Sequence, residues 1–471
     1  MVDLLDKYVL AINDVLWTYV IVALLIVAGL YFTIRSRFVQ FRFIKEMFRL
    51  LGEGMGKKDG ISSFQAFCIS TASRVGVGNI AGVAMAIAIG GPGAVFWMWL
   101  IAIIGSASAF IEATLAQVYK VKDGDTFRGG PAYYMEKGLN KRWMGILFAI
   151  LITLCFGLVF NSVQANTITV AFESTYGINR AVLGLIIAVV FAVIIFGGVK
   201  RVARITEWMV PVMAVIYILL ALYVVLTNIT QLPAVFKQIF AGAFGLEQAV
   251  GGGIGAAMMQ GIKRGLFSNE AGMGSAPNAA ATATVSHPAK QGMIQALGVF
   301  VDTLIICSCT SMIVLFSSAF THDNLSGIEI AQLALNQQVG VWAEHFLTIS
   351  IFLFAFSSLI GNYYYGETNI EFIRENKTWL LIYRLAVVAM VIWGSVTQVQ
   401  VVWDLADLFM GLMAILNLIA ILLLGKVAFA VLQNYHQQLK EGKNPSFTSD
   451  QIQDLTNADC WEKSGSARRT G

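Results

Sequence analysis

Two heptads carry the residues of this chain whose types and spacing could do chemistry. Ser73-Arg74-Val75-Gly76-Val77-Gly78-Asn79 and Asn269-Glu270-Ala271-Gly272-Met273-Gly274-Ser275 share one order: polar, charged, small, Gly, apolar, Gly, polar. Each glycine weakens a helix by about 1 kcal/mol relative to alanine, and Ser and Asn compete for backbone hydrogen bonds. Main chain opened in this way offers N–H groups to a carboxylate and C=O groups to a sodium ion without placing a formal charge in lipid. Such chemistry is the holding of a small zwitterion and a cation. Bond-making chemistry lacks its residues: there is no HExxH, no GxxxxGK[ST] loop and no CxxC among Cys68, Cys155, Cys307, Cys309 and Cys460, and Ser268 has no base beside it. An enzyme and a nucleotide-driven pump are therefore disfavoured, and no cofactor is expected beyond sodium as coupling ion. Two bland readings stay open. Glycines can simply let helices pack closely, and a passive channel would also tolerate such breaks.

The elements that must position these heptads are membrane helices. Of 471 residues 57% are hydrophobic and 13% charged, against about 45–50% and 25% in soluble domains. Apolar runs long enough to cross a bilayer recur at 14–34, 61–88, 92–119, 143–171, 181–199, 207–227, 248–285, 291–319, 342–366, 378–397 and 403–425, with an amphipathic segment at Val235–Phe240. The expected fold is all-α, with eleven transmembrane helices. With the N-terminus outside, 25 of the 32 basic residues fall in inside segments and only Lys7, Arg180 and Lys237 outside. That bias predicts an N-out, C-in multi-pass protein of the cell (plasma) membrane. The loop 320–341, with His322, Asp323 and Glu329 but no Lys or Arg, then lies outside. The polar tail from about residue 433 reads as a short cytosolic extension, partly disordered.

The heptads sit in the second and seventh runs, five spans apart and hence oppositely oriented. Gly-interrupted spans in matching positions point to an inverted-repeat transporter with its site at the breaks. The division expected is 1–60 for the extra helix and basic loop, 61–228 and 229–430 for two five-helix repeats, and 431–471 for the tail. One register is open. Residues 248–285 would make a helix of about 57 Å, so the chain could open near Gln260-Gly261 instead, leaving NEAGMGS toward the cytosol and letting Lys263 and Arg264 reach water. Other charges within runs need partners. Arg74 and Glu270 hold equivalent places and are candidates to pair. Glu112 is near enough the inner end of its span to reach the interface, and Glu207 lies in the sixth run. Asp302 reads as a structural acceptor or, in a proton-coupled alternative shared with Glu112, as a proton carrier.

The strings GVGNIAG, GGPGAVFWMW (90–99), VQAN (163–166), RGLFSNEAGMGSAP (264–277) and YYYGE (363–367) resemble the alanine or glycine:cation symporter family over residues 15–430. That family belongs to the amino acid–polyamine–cation superfamily. The resemblance implies a LeuT-type core of five plus five inverted helices preceded by one extra span, importing a small neutral amino acid with sodium. It places Gly76, Val77, Gly78 and Asn79 around the substrate, with Asn269, Gly272 and Met273 from the second break, or Gln260 and Gly261 in the other register. Carbonyls of Ala72 and Val75 with the hydroxyls of Ser357 and Ser358 would hold sodium; back-bonding to their own helix is the other use of such a serine pair. Gln164 and Asn166 resemble substrate-side amides, although an interhelical hydrogen bond serves such groups equally. Asn362 departs from the bulky Trp of many members. A smaller amide wall admits serine, glutamine or another neutral amino acid.

Overall fold

The computed structural model describes residues 2–53, 60–196, 199–245, 253–322 and 325–462. Among them, seven helices are long and apolar enough to cross a membrane: α1 (Tyr8–Arg35), α3 (Ala94–Val118), α4 (Arg142–Tyr176), α8 (Pro288–Leu315), α9 (Val341–Ile373), α10 (Lys377–Val396) and α11 (Val399–Lys440). Ser63–Arg74 and Gly78–Gly90 pass the same test as a pair bent by 50°, and form α2. Arg180–Ile195 is the shorter apolar α5. The helix Val199–Thr227 is α6, whose second half turns by 74° into Leu232–Ala243, which contains the amphipathic segment. α7 comes in two pieces, Ile254–Asn269 and Ala276–Ala281. The side chain of Glu207 lies outside the described residues.

Local sequence sets the helix ends. Ser62 caps α2 in a reciprocal box with Gln65, and Asn179 caps α5 by accepting from the N–H groups of Ala181 and Val182. Asn376 does the same for α10. His287, followed by Pro288, accepts from the N–H of Ala289 and starts α8. π-helical turns at Gly78–Gly82, Thr153–Phe160 and Phe300–Cys307 add a residue to α2, α4 and α8, a feature common near functional sites.

Burial sorts the helices into a core and a lipid-facing shell. In the most apolar stretch of α3, 72% of residues are buried, against 28% in α10. α5 shows Val182, Leu185, Ile186, Val189, Val190 and Val193 outward. Glycines let the core helices touch: a Cβ on Gly292 of α8 would lie 2.8 Å from the Phe110 carbonyl of α3. The only sheet among the described residues is a hairpin, β1 (Val121–Asp123) against β2 (Thr126–Arg128), paired antiparallel with Val121 opposite Arg128.

Two segments differ from the sequence expectation. The 320–341 loop contains a helix, Gly327–Val339, started by Ser326 and Glu329 in a capping box and packed on α9 and α2. The tail folds back across one end of the bundle through residue 462. Phe447 N–H donates to the Ser286 carbonyl at 2.9 Å, and Trp461 Nε1 donates to the Gln117 carbonyl at 2.8 Å. Lys137 and Asp459 pair at 2.5 Å. Composition hid this strap because two aromatics, Phe447 and Trp461, anchor an otherwise polar stretch.

Candidate functional site

In α2 the helix stops at Arg74 and Val75 turns extended, at φ −78° and ψ 90°. Three bonds hold the opening. Val75 N–H still reaches the Thr71 carbonyl at 2.8 Å, Gly76 N–H donates to Asn79 Oδ1 at 2.9 Å, and Val77 N–H donates to Gln164 Oε1 of α4 at 3.2 Å. Neither Gly76 nor Gly78 is left-handed; both permit close approach. A Cβ on Gly76 would stand 2.2 Å from Ser358 Oγ, and one on Gly78 2.8 Å from Phe267 Cδ1.

α7 opens between Asn269 and Ala276. Glu270, Gly272 and Gly274 are all left-handed, at φ 58°, 84° and 88°, a conformation natural to glycine and costly for other residues. Asn269 Oδ1 accepts from Ala271 N–H at 3.0 Å, and the Glu270 carbonyl from Met273 N–H at 3.1 Å. Gln260 and Gly261 lie inside the unbroken first piece of α7. Gly261 is pressed against the Ala94 carbonyl and Trp97 instead of facing a cavity. Lys263 and Arg264 find a carboxylate, not water: Asp407 of α11 takes Arg264 through two bonds of 2.9 and 2.8 Å, and Lys263 at 3.2 Å.

The two openings face each other. The first half of α2 packs on the second piece of α7, and the second half of α2 on the first piece. Ser73 Oγ sits 2.7 Å from both Glu270 Oε1 and Asn362 Oδ1, while Ser275 donates to Glu270 Oε2 at 2.5 Å. Asn79 Nδ2 donates to Ser268 Oγ at 2.9 Å and to Asp302 Oδ1 at 2.7 Å. Asp302 also accepts from Ser268 and Thr303, at 2.7 and 2.8 Å. Arg74 does not pair directly with Glu270 among the described residues. Its Nη1 reaches the Gln295 carbonyl of α8 at 3.4 Å, because the side chain leaves α2 toward α8 while Glu270 is served by hydroxyls.

On the other side of α2, Ser358 Oγ of α9 donates to the Ala72 carbonyl at 2.9 Å and lies 3.1 Å from the Phe354 carbonyl. Ser357 also donates to Phe354, at 2.8 Å. Neutral hydroxyls and carbonyls gathered this way suit a hard monovalent cation. Asn166 lies elsewhere: its Nδ2 donates to the Gly394 and Thr397 carbonyls at the end of α10, both at 2.8 Å. Sequence reasoning left Ser73, Ser268, Ser275 and Asn417 out of the site, although Ser73 and Ser275 are polar ends of the two heptads. Glu112, expected at the interface, is fully buried.

The family model described as the sodium:alanine symporter family matches residues 2–449. The chain belongs to that family. Among curated relatives, the symporter is 60% identical to the "Probable sodium/glutamine symporter GlnT" of Bacillus subtilis, over 98% of this chain and 97% of that one. It is 58% identical to the "Amino-acid carrier protein AlsT" of the same organism, over 96% of each. To the "Sodium/alanine symporter AgcS" of Methanococcus maripaludis it is 36% identical, over 92% of this chain and 98% of the other. Among solved structures it shares its fold with MhsT in complex with L-phenylalanine, at a TM-score of 0.50 and 15% identity over 80% of this chain and 99% of that one. The symporter is thus a multi-pass membrane transporter and not an enzyme.

Proposed function

We propose that the protein carries a small neutral amino acid into the cell with a sodium ion, by alternating access around the two breaks. One observation carries this reading: two helices open their main chains side by side, joined through Ser73–Glu270 and Asn79–Ser268, beside the hydroxyl–carbonyl group of Ser358 and Ala72. Gly76, Val77, Gly78 and Asn79 face the amino acid from break one, Gln164 from α4, and Asn269, Met273 and Asn362 from the other side, while Gly272, whose N–H and C=O are held by Glu112 and Asn417, shapes the second break. Ala72, Val75, Ser357 and Ser358 hold sodium. Asn166 ties α4 to α10 and does not touch the substrate.

The wider architecture follows from the same reading: eleven spans in the cell membrane, two inverted five-helix repeats after α1, N-terminus outside. The segments that the charge bias assigns to the cytosol meet one another, through Lys290 with Glu53, Phe447 with Ser286 and Lys137 with Asp459. That meeting supports the assignment. The driving force suffices. A sodium ion entering down 100 mV gains about 2.3 kcal/mol, and a tenfold gradient adds about 1.4 kcal/mol.

On substrate size, Asn362 Nδ2 is buried beside Ser73 without a partner among the described residues. A free donor there suits a neutral amino acid with a polar side chain, such as serine or glutamine, as well as alanine. The test is uptake into proteoliposomes under an imposed sodium gradient at constant pH, with a competition panel of neutral amino acids against alanine. Sodium-driven accumulation is expected; flux without accumulation, or accumulation driven by a proton gradient alone, would overturn the reading.

A further inference from the structure

Break two owes its shape to a carboxylate that belongs to neither broken helix. At Gly272 the main chain is left-handed, so its peptide groups cannot follow the helical pattern. Glu112 of α3 replaces that pattern. Its Oε1 accepts from Gly272 N–H at 3.1 Å, and its Oε2 accepts from Asn417 Nδ2 of α11 at 2.8 Å. The same Nδ2 donates to the Gly272 carbonyl at 2.9 Å, so one residue of the break has both main-chain groups held by side chains. Tyr134, on the short helix Pro131–Lys137, donates its hydroxyl to Asn417 Oδ1 and fixes which way that amide points. Glu112, Tyr134 and Asn417 are completely buried. Gly274 leaves room for the arrangement: a Cβ there would lie 2.8 Å from Asn417 Cγ.

We propose that Glu112 is a positioning residue for transport. Acting through Asn417, it holds the Gly272 turn so that Glu270 stays against Ser73 and Met273 stays at the crossing of the breaks. Glu112 itself touches neither amino acid nor sodium. A break shaped in advance spares the ligands the cost of ordering it. Loss of the clamp therefore weakens binding of both ligands and leaves the maximal rate nearly unchanged. A residue that merely stabilised the fold would lower the amount of protein and leave both affinities alone.

The inference rests on the transport reading above, and its test separates the two. E112Q keeps an acceptor for Gly272 N–H but turns an N–H toward Asn417 Nδ2, while N417D sets a second carboxylate against Glu112. The double variant E112Q/N417D restores one donor facing one acceptor between the two side chains, but leaves the Gly272 carbonyl without its donor. Uptake by reconstituted protein, normalised to the number of molecules, gives the half-saturating amino acid and sodium concentrations and the maximal rate. Each single variant is expected to raise both half-saturating values about tenfold, a loss of about 1.4 kcal/mol, with the maximal rate within about twofold. The double variant is expected to be better than the worse single variant, because the side-chain pair is repaired while the bond to the Gly272 carbonyl stays lost. Affinities unchanged in the single variants, or a double variant no better than the worse single, would overturn the proposal. Should neither single variant fold, Y134F decides, because it removes only the hydroxyl that orients Asn417: raised half-saturating values support the clamp, and wild-type values overturn it. A wild-type protein that accumulates no amino acid under a sodium gradient would instead remove the transport reading.

Discussion

Break one and break two arise from the same order of residue types, yet their glycines do different work. In α2 the opening comes from one extended residue, Val75, and a π turn, with Gly76 and Gly78 clearing space for Ser358 and Phe267. In α7 the opening comes from left-handed backbone at Glu270, Gly272 and Gly274. The main-chain groups of break one are met by neutral amides and hydroxyls, Gln164, Asn79 and Ser358, with the Asp302 carboxylate one step behind, on Asn79. Carboxylates organise break two, Glu112 and Glu270. The heptads mark the two places where these helices open. Neighbouring helices fix how each opens and what it presents.

The sharpest way to break this comparison is Gly274→Ala. The new methyl meets Asn417, Phe148 and Pro131 at 2.8 to 2.9 Å and sits on left-handed backbone. Strain of about 1–2 kcal/mol adds to overpacking of about 1–3 kcal/mol. Thermal melting in detergent is expected to fall by many degrees with loss of uptake, and a wild-type melting temperature would refute the left-handed account of break two. Gly76→Ala is expected to be milder, because its backbone is not left-handed and its obstacles are two polar side chains, Ser358 and Gln164. Overpacking of about 1–3 kcal/mol should appear in the melting curve. Pairing it with Ser358→Ala should restore melting but not sodium-stimulated uptake. Recovery of both would remove Ser358 from the ion site.

A third expectation concerns the far end of α7. His287 lies just after it, neutral and packed between Tyr435 and Phe447, with burial pushing its imidazole down to about 4. Its Nδ1 accepts from Ala289 N–H, which a protonated ring could not do. The undocked state therefore binds more protons between about pH 6.5 and 4, and docking of the strap should weaken as pH falls through that window. Hydrogen exchange at 445–462 reads this directly; protection unchanged down to pH 4 would contradict it. Smallest of all, Asn166→Ala should cost about 1–2 kcal/mol of stability, as the loss of its two interhelical hydrogen bonds does, and leave the half-saturating amino acid concentration as it was. A marked rise there would return Asn166 to the substrate site.

Much of this arrangement is legible in sequence because it rests on local chemistry. Gly-x-Gly flanked by charge marks both breaks, and each is found where the heptads stand, at 74–78 and 270–275. What stays hidden is set by partners remote in the chain. Asp407 pairs with both Lys263 and Arg264 from more than 140 residues away, so two charges that favoured a different register find a partner within the bundle. Asn417 reaches Glu112 across 305 positions and keeps that carboxylate from the interface. Asn166 spends its donor on α10, and the strap hangs on two aromatics whose docking sites belong to other elements.

Binding of radiolabelled alanine or glutamine to the purified protein, in sodium and in equimolar choline, bears most directly on the paired openings as a joint seat for amino acid and cation. Saturable binding that requires sodium, and that loses this requirement or vanishes in Ser358→Ala, is the result expected. Equal binding in choline, or sodium-dependent binding untouched by Ser358→Ala, would contradict it.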